Sequence, residues 1–304
     1  VRSRRRTGST TTLAGTLALL FVAPLLVLAV QAFADSWRAP AIVPQRFGLR
    51  GARAVLRDPL IPAAIRNSTL VALLTVAGAL MLAWPAARAL AADGRKSLRL
   101  ILIAPLLVPP LAVGEGLAPW FLRLGLADHL VAISLAHLVY VLPYMVLVLA
   151  AGFTNELHEL EQAATSLGAG PLLRLRTVTA PVIRRQLALA CALGFTVSWS
   201  QYGTSLAVGG GVPMLPIVLV PFVRVDAQLA AVLSLVFLLP PLALAAAAAV
   251  TRHPGDPRRS SLDGRPTPLP APVALPASDI STHDLLTGRL ARPDVDRLSP
   301  EQSV

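Results

Sequence analysis

The chain has 304 residues, 55% of them hydrophobic and only 14% charged, with a mean hydropathy of +0.65. An ordinary soluble domain is about a quarter charged, so this is the composition of a membrane protein, not of a soluble enzyme. The net charge of +11 is almost wholly arginine, and because those arginines flank apolar runs, membrane topology accounts for them and nucleic-acid binding is not expected.

Residues 1–12 form a basic N-terminus with Arg2, Arg4, Arg5 and Arg6, followed by an apolar run over 13–33. Ala32-Phe33-Ala34 resembles a signal-peptide cleavage site. The run is nonetheless longer than the usual apolar region of about 7–15 residues, which favours an uncleaved first span. A polar, Pro-rich loop is expected over 34–64. The second span is expected over 67–91, with Asn67-Ser68-Thr69 capping its start. A basic turn around Arg95 and Lys96 leads to a third span over 98–119, where Pro105, Pro109 and Pro110 should kink the helix. The fourth is expected over 129–153. A fifth, over 187–208, holds the single cysteine, Cys191, which reads as a packing residue and rules out an internal disulfide. An apolar loop broken by Gly and Pro follows, then a sixth span over 229–250 bearing Pro240 and Pro241. Residues 251–304 are rich in Pro, Ser, Asp and Arg and are expected to be a disordered tail.

The expected fold is therefore all-α: a polytopic membrane protein with six transmembrane helices spread over 13–250. Positive-inside counting puts both termini in the cytoplasm, with the 93–99 turn, the 154–185 stretch and the tail on that side; the arginines at 34–64 dissent.

The longest polar interruption, 154–185, has a deliberate order. Asn155 is placed to cap a helix whose first turns carry Glu156, Glu159 and Glu161, where acids favour the positive helix end. Leu157, Leu160, Ala164 and Leu167 form an apolar stripe, and Gly168 with Pro171 stops the helix. A short amphipathic helix facing water between two spans reads as a docking element.

Chemistry inside the spans has few carriers. Glu115 lies between Gly114 and Gly116, and His137 reads as a hydrogen-bonded packing residue. Asp128 and Asp226 read as interfacial. No two carboxylates share a helix face within a span, and no histidine pair has metal-ligand spacing, so neither a cofactor nor a metal is called for. The glycines at 209–211 lack the Gly-Lys-Ser/Thr of a phosphate loop, so ATP hydrolysis by this chain is not expected. Ser198, Gln201 and Tyr202 in the fifth run read either as helix–helix glue or as the lining of a translocation pathway, with Glu115 a further candidate; Gln201 leans to the pathway because its amide needs partners away from lipid.

The 154–185 stretch also resembles the cytoplasmic Glu-Ala-Ala loop of permease subunits of bacterial ATP-binding-cassette (ABC) importers. Gln162-Ala163-Ala164, Gly168 and Val178-Thr179-Ala180-Pro181 carry the match. Two positions depart: Gln162 stands where that signature has Glu, with Glu161 one residue earlier, and Ala180 stands where Leu is usual. Asn67-Ser68, Trp84-Pro85-Ala86-Ala87, Leu107-Val108-Pro109-Pro110 and Leu142-Pro143-Tyr144 extend the likeness over roughly 13–250. Ser200-Gln201-Tyr202-Gly203 looks most like permeases grouped with iron, sulfate, molybdate, polyamine or thiamine importers.

The resemblance implies a type I importer permease in a bacterial cell membrane, docked to a separate ABC ATPase through Glu161, Gln162, Ala163, Ala164, Gly168 and Pro181. It implies a second permease subunit, the same chain or another, and an extracytoplasmic solute-binding protein. The alternative function is a secondary transporter driven by an ion gradient, which would need an essential intramembrane acid such as Glu115.

Overall fold

A computed structural model describes residues 4–93 and 96–250. The tail at 251–304 and the centre of the basic turn, Gly94 and Arg95, lie outside the described residues. Helices dominate, in line with the all-α expectation. In chain order they are α1 (Arg4–Ala32), α2 (Arg50–Arg57), α3 (Leu60–Asp93), α4 (Lys96–Ile103), α5 (Pro110–Arg123), α6 (Leu130–Ala150) and α7 (Asn155–Ser166). Then come α8 (Pro171–Arg174), α9 (Ala180–Val182), α10 (Arg184–Trp199), α11 (Gly203–Val208), α12 (Leu215–Val225) and α13 (Ala227–Val250). Between α1 and α2 sits a small antiparallel hairpin of β1 (Ala34–Ser36) and β2 (Arg46–Phe47).

Among the described residues, three helical stretches are long and apolar enough to cross a bilayer: Leu60–Ala92, Leu130–Ala150 and Ala227–Ala247. Two bent pairs, Arg99–Leu107 with Pro110–Arg123 (95°) and Pro171–Val182 with Arg184–Trp199 (77°), raise the number to five if each is one crossing. The apolar part of α1, Leu19–Ala32, is shorter. The described residues thus account for up to five of the six expected spans.

Several local expectations change. The third run is not a kinked helix but a broken one: α4 passes into a tight 3-10 turn, Ala104–Leu107, and the chain turns at Val108 before α5. Val108 is extended (φ −94°, ψ 131°), the conformation that Pro109 imposes on its predecessor. Its carbonyl, left without a helical donor, accepts from the Tyr140 hydroxyl at 2.8 Å. The expected loop at 34–64 holds the hairpin and α2, and the expected loop after 209 holds α12. The second span begins at Leu60, so Asn67 and Ser68 lie inside a helix and cap a different one. Ser68 Oγ accepts from the Leu215 N–H at 2.9 Å at the start of α12, and Asn67 Nδ2 donates to the Pro213 carbonyl at 3.1 Å.

Small residues bring the spans together. Ala79, Ala83 and Ala87 recur every four residues along α3 and pack against Val141, Met145 and Leu149 of α6. Gly194 of α10 joins this core, since a Cβ there would lie 2.8 Å from the Met145 sulfur. At the other end, Val55, Ile61, Leu215, Leu229 and Trp199 form a second core. Residues 34–66 and 209–229 gather at this end, opposite the end that carries α7.

Gln228, at the start of α13, is a buried hub there. Its Nε2 donates to Asp35 Oδ1 (2.8 Å), the Gly48 carbonyl (3.0 Å) and the Ala32 carbonyl (3.4 Å), while its Oε1 accepts from the Gly51 N–H (3.2 Å).

Candidate functional site

The docking helix α7 is capped one residue earlier than expected. Thr154, not Asn155, is the N-cap, and its Oγ1 accepts from the Leu157 N–H at 3.3 Å. The C-terminus closes as the sequence implied. Gly168 takes φ +81°, its N–H bonds the Thr165 carbonyl, and the Ala169 N–H reaches back to the Ala164 carbonyl, which is the Schellman pattern.

The face that α7 turns toward the rest of the chain is not its apolar stripe. Leu157, Glu161 and Thr165, spaced i, i+4, i+8, face the rest of the chain; Leu157 and Glu161 are buried, and Thr165 Oγ1 accepts from Arg174 Nη1 at 2.6 Å. Leu160 (50% exposed) and Leu167 (89% exposed) point away, beside exposed Ala163 and half-buried Ala164. The physical reason is a countercharge. Arg88 near the end of α3 donates to Glu161 Oε1, and Thr179 Oγ1, from a π turn over Leu175–Thr179, donates to the same oxygen. A paired, hydrogen-bonded carboxylate can be buried where a lone one could not. Glu161 is therefore turned into its own chain. Gln162 is exposed and bonds His158 Nε2 at 2.9 Å, while Gly168 and Pro181 are exposed.

Clefts of about 400 and 580 Å³ flank this helix and share Arg88, His158 and Glu161 in their walls. Arg88 is gripped on another side as well. Its guanidinium lies 5.1 Å from the Phe153 ring centre, and Phe153 meets Trp84 edge-on at 5.4 Å. Sequence reasoning passed over Arg88, although an arginine inside the apolar 67–91 run was the available signal.

The pathway candidates lie around a second break. α10 ends at Trp199, Ser200-Gln201-Tyr202 is not helical, and α11 restarts at Gly203. His137, fully buried in α6, bridges the two halves: Nδ1 to Ser198 Oγ and Nε2 to Ser205 Oγ, both 2.9 Å. Ser205 Oγ already donates to the Gln201 carbonyl (2.7 Å), so it accepts from His137 Nε2–H, and Nδ1 accepts from the Ser198 hydroxyl. Ser198 is thus committed to holding α6 against α10. Gln201 is buried, with Thr204 Oγ1 donating to its Oε1 at 3.4 Å, and Tyr202 is partly exposed. Glu115 is exposed on α5 and has no hydrogen bond or ion pair among the described residues. It does not join the His137 cluster.

The two breaks lean on each other. A Cβ on Gly203 would lie 2.7 Å from the Leu111 backbone nitrogen, and one on Gly114 would lie 2.7 Å from the Ala207 Cβ. Glycine at both positions lets α11 sit directly on α5. Trp199 fastens the end of α10 to α13: its Nε1 donates at 2.9 Å to the Phe237 carbonyl, the one that Pro241 cannot serve. Among the described residues, no group of three His, Cys, Asp or Glu side chains is arranged to hold a metal.

Known proteins share this fold. An ABC transporter for import of the polysaccharide alginate has a subunit of the same fold, with TM-score 0.63 at 17% identity, covering 83% of this chain and 99% of that one. No family model matches the chain. It is 27% identical over 213 residues to the putrescine transport system permease protein PotI of Escherichia coli K12, covering 66% of this chain and 75% of that protein. It is 26% identical over 195 residues to PhnV of Salmonella typhimurium, named as a permease of a 2-aminoethylphosphonate transport system, covering 62% and 72%. It is 30% identical over 179 residues to a Streptomyces antibioticus protein named as an ABC transporter permease (ORF1), covering 57% of this chain and 78% of that protein. With that kinship and the shared fold, this multi-pass membrane chain belongs to the ABC transporter permeases.

Proposed function

We propose that this permease is one half of the translocation pathway of an ATP-driven importer of a small polar solute, and that α7 is where a separate ATPase subunit docks. The observation that carries the docking is the outward stripe of Leu160, Ala163, Ala164 and Leu167, an apolar helix face that the described residues leave largely uncovered, Ala164 alone being half-buried. Small residues at its centre let a partner approach closely, and Gly168 ends it sharply. Gln162 in place of an acid makes shape, not charge, the basis of that contact. ATP hydrolysis belongs to the docked partner, a solute-binding protein delivers cargo on the far side, and a second permease, identical or related, completes the channel.

In this reading α1 supplies the sixth span, both termini and α7 face the cytoplasm, and Tyr202, Gln201 and Glu115 border the pathway near the two breaks. Relatives named for putrescine and 2-aminoethylphosphonate transport support a small polar solute without choosing one. Nothing favours the ion-gradient alternative: Glu115, the acid it would need, is exposed and has no buried partner among the described residues.

The test is co-purification with a cognate ABC ATPase. Leu167→Asp and Ala163→Glu place carboxylates on the stripe and should cut the retained ATPase roughly tenfold or more, as charge does at the centre of an apolar interface. Full retention in both variants would refute the docking assignment.

A further inference from the structure

α7 is tied to the chain at its two ends through short links, residues 151–154 before it and 167–170 after it. Both links contain glycine, and Gly168 has open space around it and a left-handed backbone. Gly152 in the first link is packed against Ile183 and Gln186, so the freer hinge is the second link, at Gly168. What holds α7 sideways is a set of side chains that converge on one carboxylate. Glu161 sits mid-helix and buried; Arg88 reaches it from α3, and Thr179 reaches it from the π turn that precedes α10. Among the described residues, Arg88–Glu161 is the one hydrogen bond between α3 and α7.

Each arm of this cluster is itself immobilised. Arg88 directly follows Ala87, the last of the alanines packed on α6, and Phe153 lies against its guanidinium. Thr179 is buried, and the Ile183 N–H one turn later bonds its carbonyl. Thr165, one turn beyond Glu161, is held by Arg174 from α8. The polar contacts therefore join three stiff segments, the end of α3, the middle of α7 and the entry to α10, at a single oxygen atom.

We propose that Arg88, Glu161 and Thr179 form a clasp that makes α7 and α3 one rigid body, so that a push on the docking helix moves the second span instead of bending the links beside it. This rests on the reading of α7 as the ATPase-docking helix and deepens it. Arg88 and Thr179 act through Glu161 and are positioning residues. The pair suits that task because Glu161 is nearly buried while the Arg88 side chain is 39% exposed, so losing Arg88 leaves an uncompensated carboxylate inside the chain and the pair resists separation. An apolar contact in the same place would slide more readily.

The experiment uses the full chain with Cys191→Ala and spin labels at Met81→Cys on α3 and Ser166→Cys on α7, both exposed and off the docking stripe. Distances are read by electron–electron resonance in the complex with the cognate ATPase, before and after ATP and vanadate. In the parent chain the distance should be narrow and the same in both states, since the two helices move together. In Arg88→Met and in the milder Thr179→Val it should broaden, and ATP and vanadate should then shift it. Thr179→Ser, which keeps the hydroxyl, should restore the parent behaviour. A distance that is unchanged by nucleotide in both loss variants overturns the clasp. Retention of the ATPase on the column is read separately: should the parent chain fail to hold the ATPase, the docking reading fails, while the nucleotide-free widths still decide whether the clasp fixes α7 to α3.

Discussion

Gly203 shows how much one missing methyl group decides. It opens α11, and an added Cβ would meet the Leu111 backbone nitrogen at 2.7 Å, where no side chain can move aside. Gly203→Ala should therefore destabilise the fold by about 1–3 kcal/mol, the usual cost of overpacking. The measurement is thermal unfolding in detergent. Gly116→Ala is the control, because a Cβ there meets nothing within 4 Å and alanine suits a helix interior better than glycine. Equal melting temperatures for the two variants would contradict the close contact of α5 and α11. Trp199 makes a related point at the same scale. Its indole N–H takes the place of the amide that Pro241 lacks, so a residue on one helix repairs a defect in another.

At the scale of elements, α2 is held to the start of α13 by Arg50 and Asp226, which face each other through two hydrogen bonds of 2.6 and 3.0 Å. The Arg50 guanidinium, with help from the Leu229 and Gln228 N–H groups, holds the Asp226 carboxyl below its ordinary value. A depressed folded-state pKa stabilises the fold above the unfolded carboxylate value of about 3.9 and is lost as pH falls through the folded value. Amide exchange at Gly51 should thus be constant from about pH 7 to pH 5 and quicken, relative to the intrinsic rate, below about pH 4. Because Arg50 is half-exposed, the pair contributes no more than about 1 kcal/mol and weakens in high salt. Asp226→Asn should flatten the acid limb, and an unchanged limb would assign it to other groups.

The same scale shows what the sequence could disclose. Apolar runs located α3, α6 and α13, and Gly168 announced the end of α7, because span length and left-handed caps are local properties. The breaks at Val108 and at Ser200–Tyr202 were visible only as prolines and polar residues inside apolar runs, and these fit a kink as well as a break. Which face of α7 turns toward its own chain was not legible in the sequence, for a deeper reason. Hydrophobic periodicity assigns leucine inward and glutamate outward, and only the distant Arg88 and Thr179 reverse that for Glu161. Pairing across long sequence separations leaves no periodic trace. Ser68, which caps α12 from 147 residues away, was hidden in the same way.

For the whole molecule, arginine is a poor compass. Arg88, Arg99, Arg174, Arg176, Arg184 and Arg185 lie toward the α7 end, but Arg38, Arg46, Arg53, Arg57, Arg66 and Arg224 lie toward the other. The proposed orientation follows from where an ATPase must bind, and it has a direct check. In a Cys191→Ala background, Ile42→Cys (91% exposed, at the hairpin end) should react with an impermeant maleimide in intact cells. Ser166→Cys on α7 should react only after the membrane is opened. The reverse pattern would invert the topology and remove α7 from the reach of ATP.

Gln228 carries a consequence for how the chain is made. It donates to the carbonyl of Ala32, 196 positions earlier, and to Asp35 and Gly48 nearby. Everything from the exit of α1 to the first turn of α2 is already synthesised and waiting while five-sixths of the permease domain emerges after it. That corner cannot lock until residue 228 has been made. A chain cut short before residue 228 should therefore leave the Gly48 carbonyl and the Gly51 N–H without this partner, and that corner more open to added protease than in the full chain.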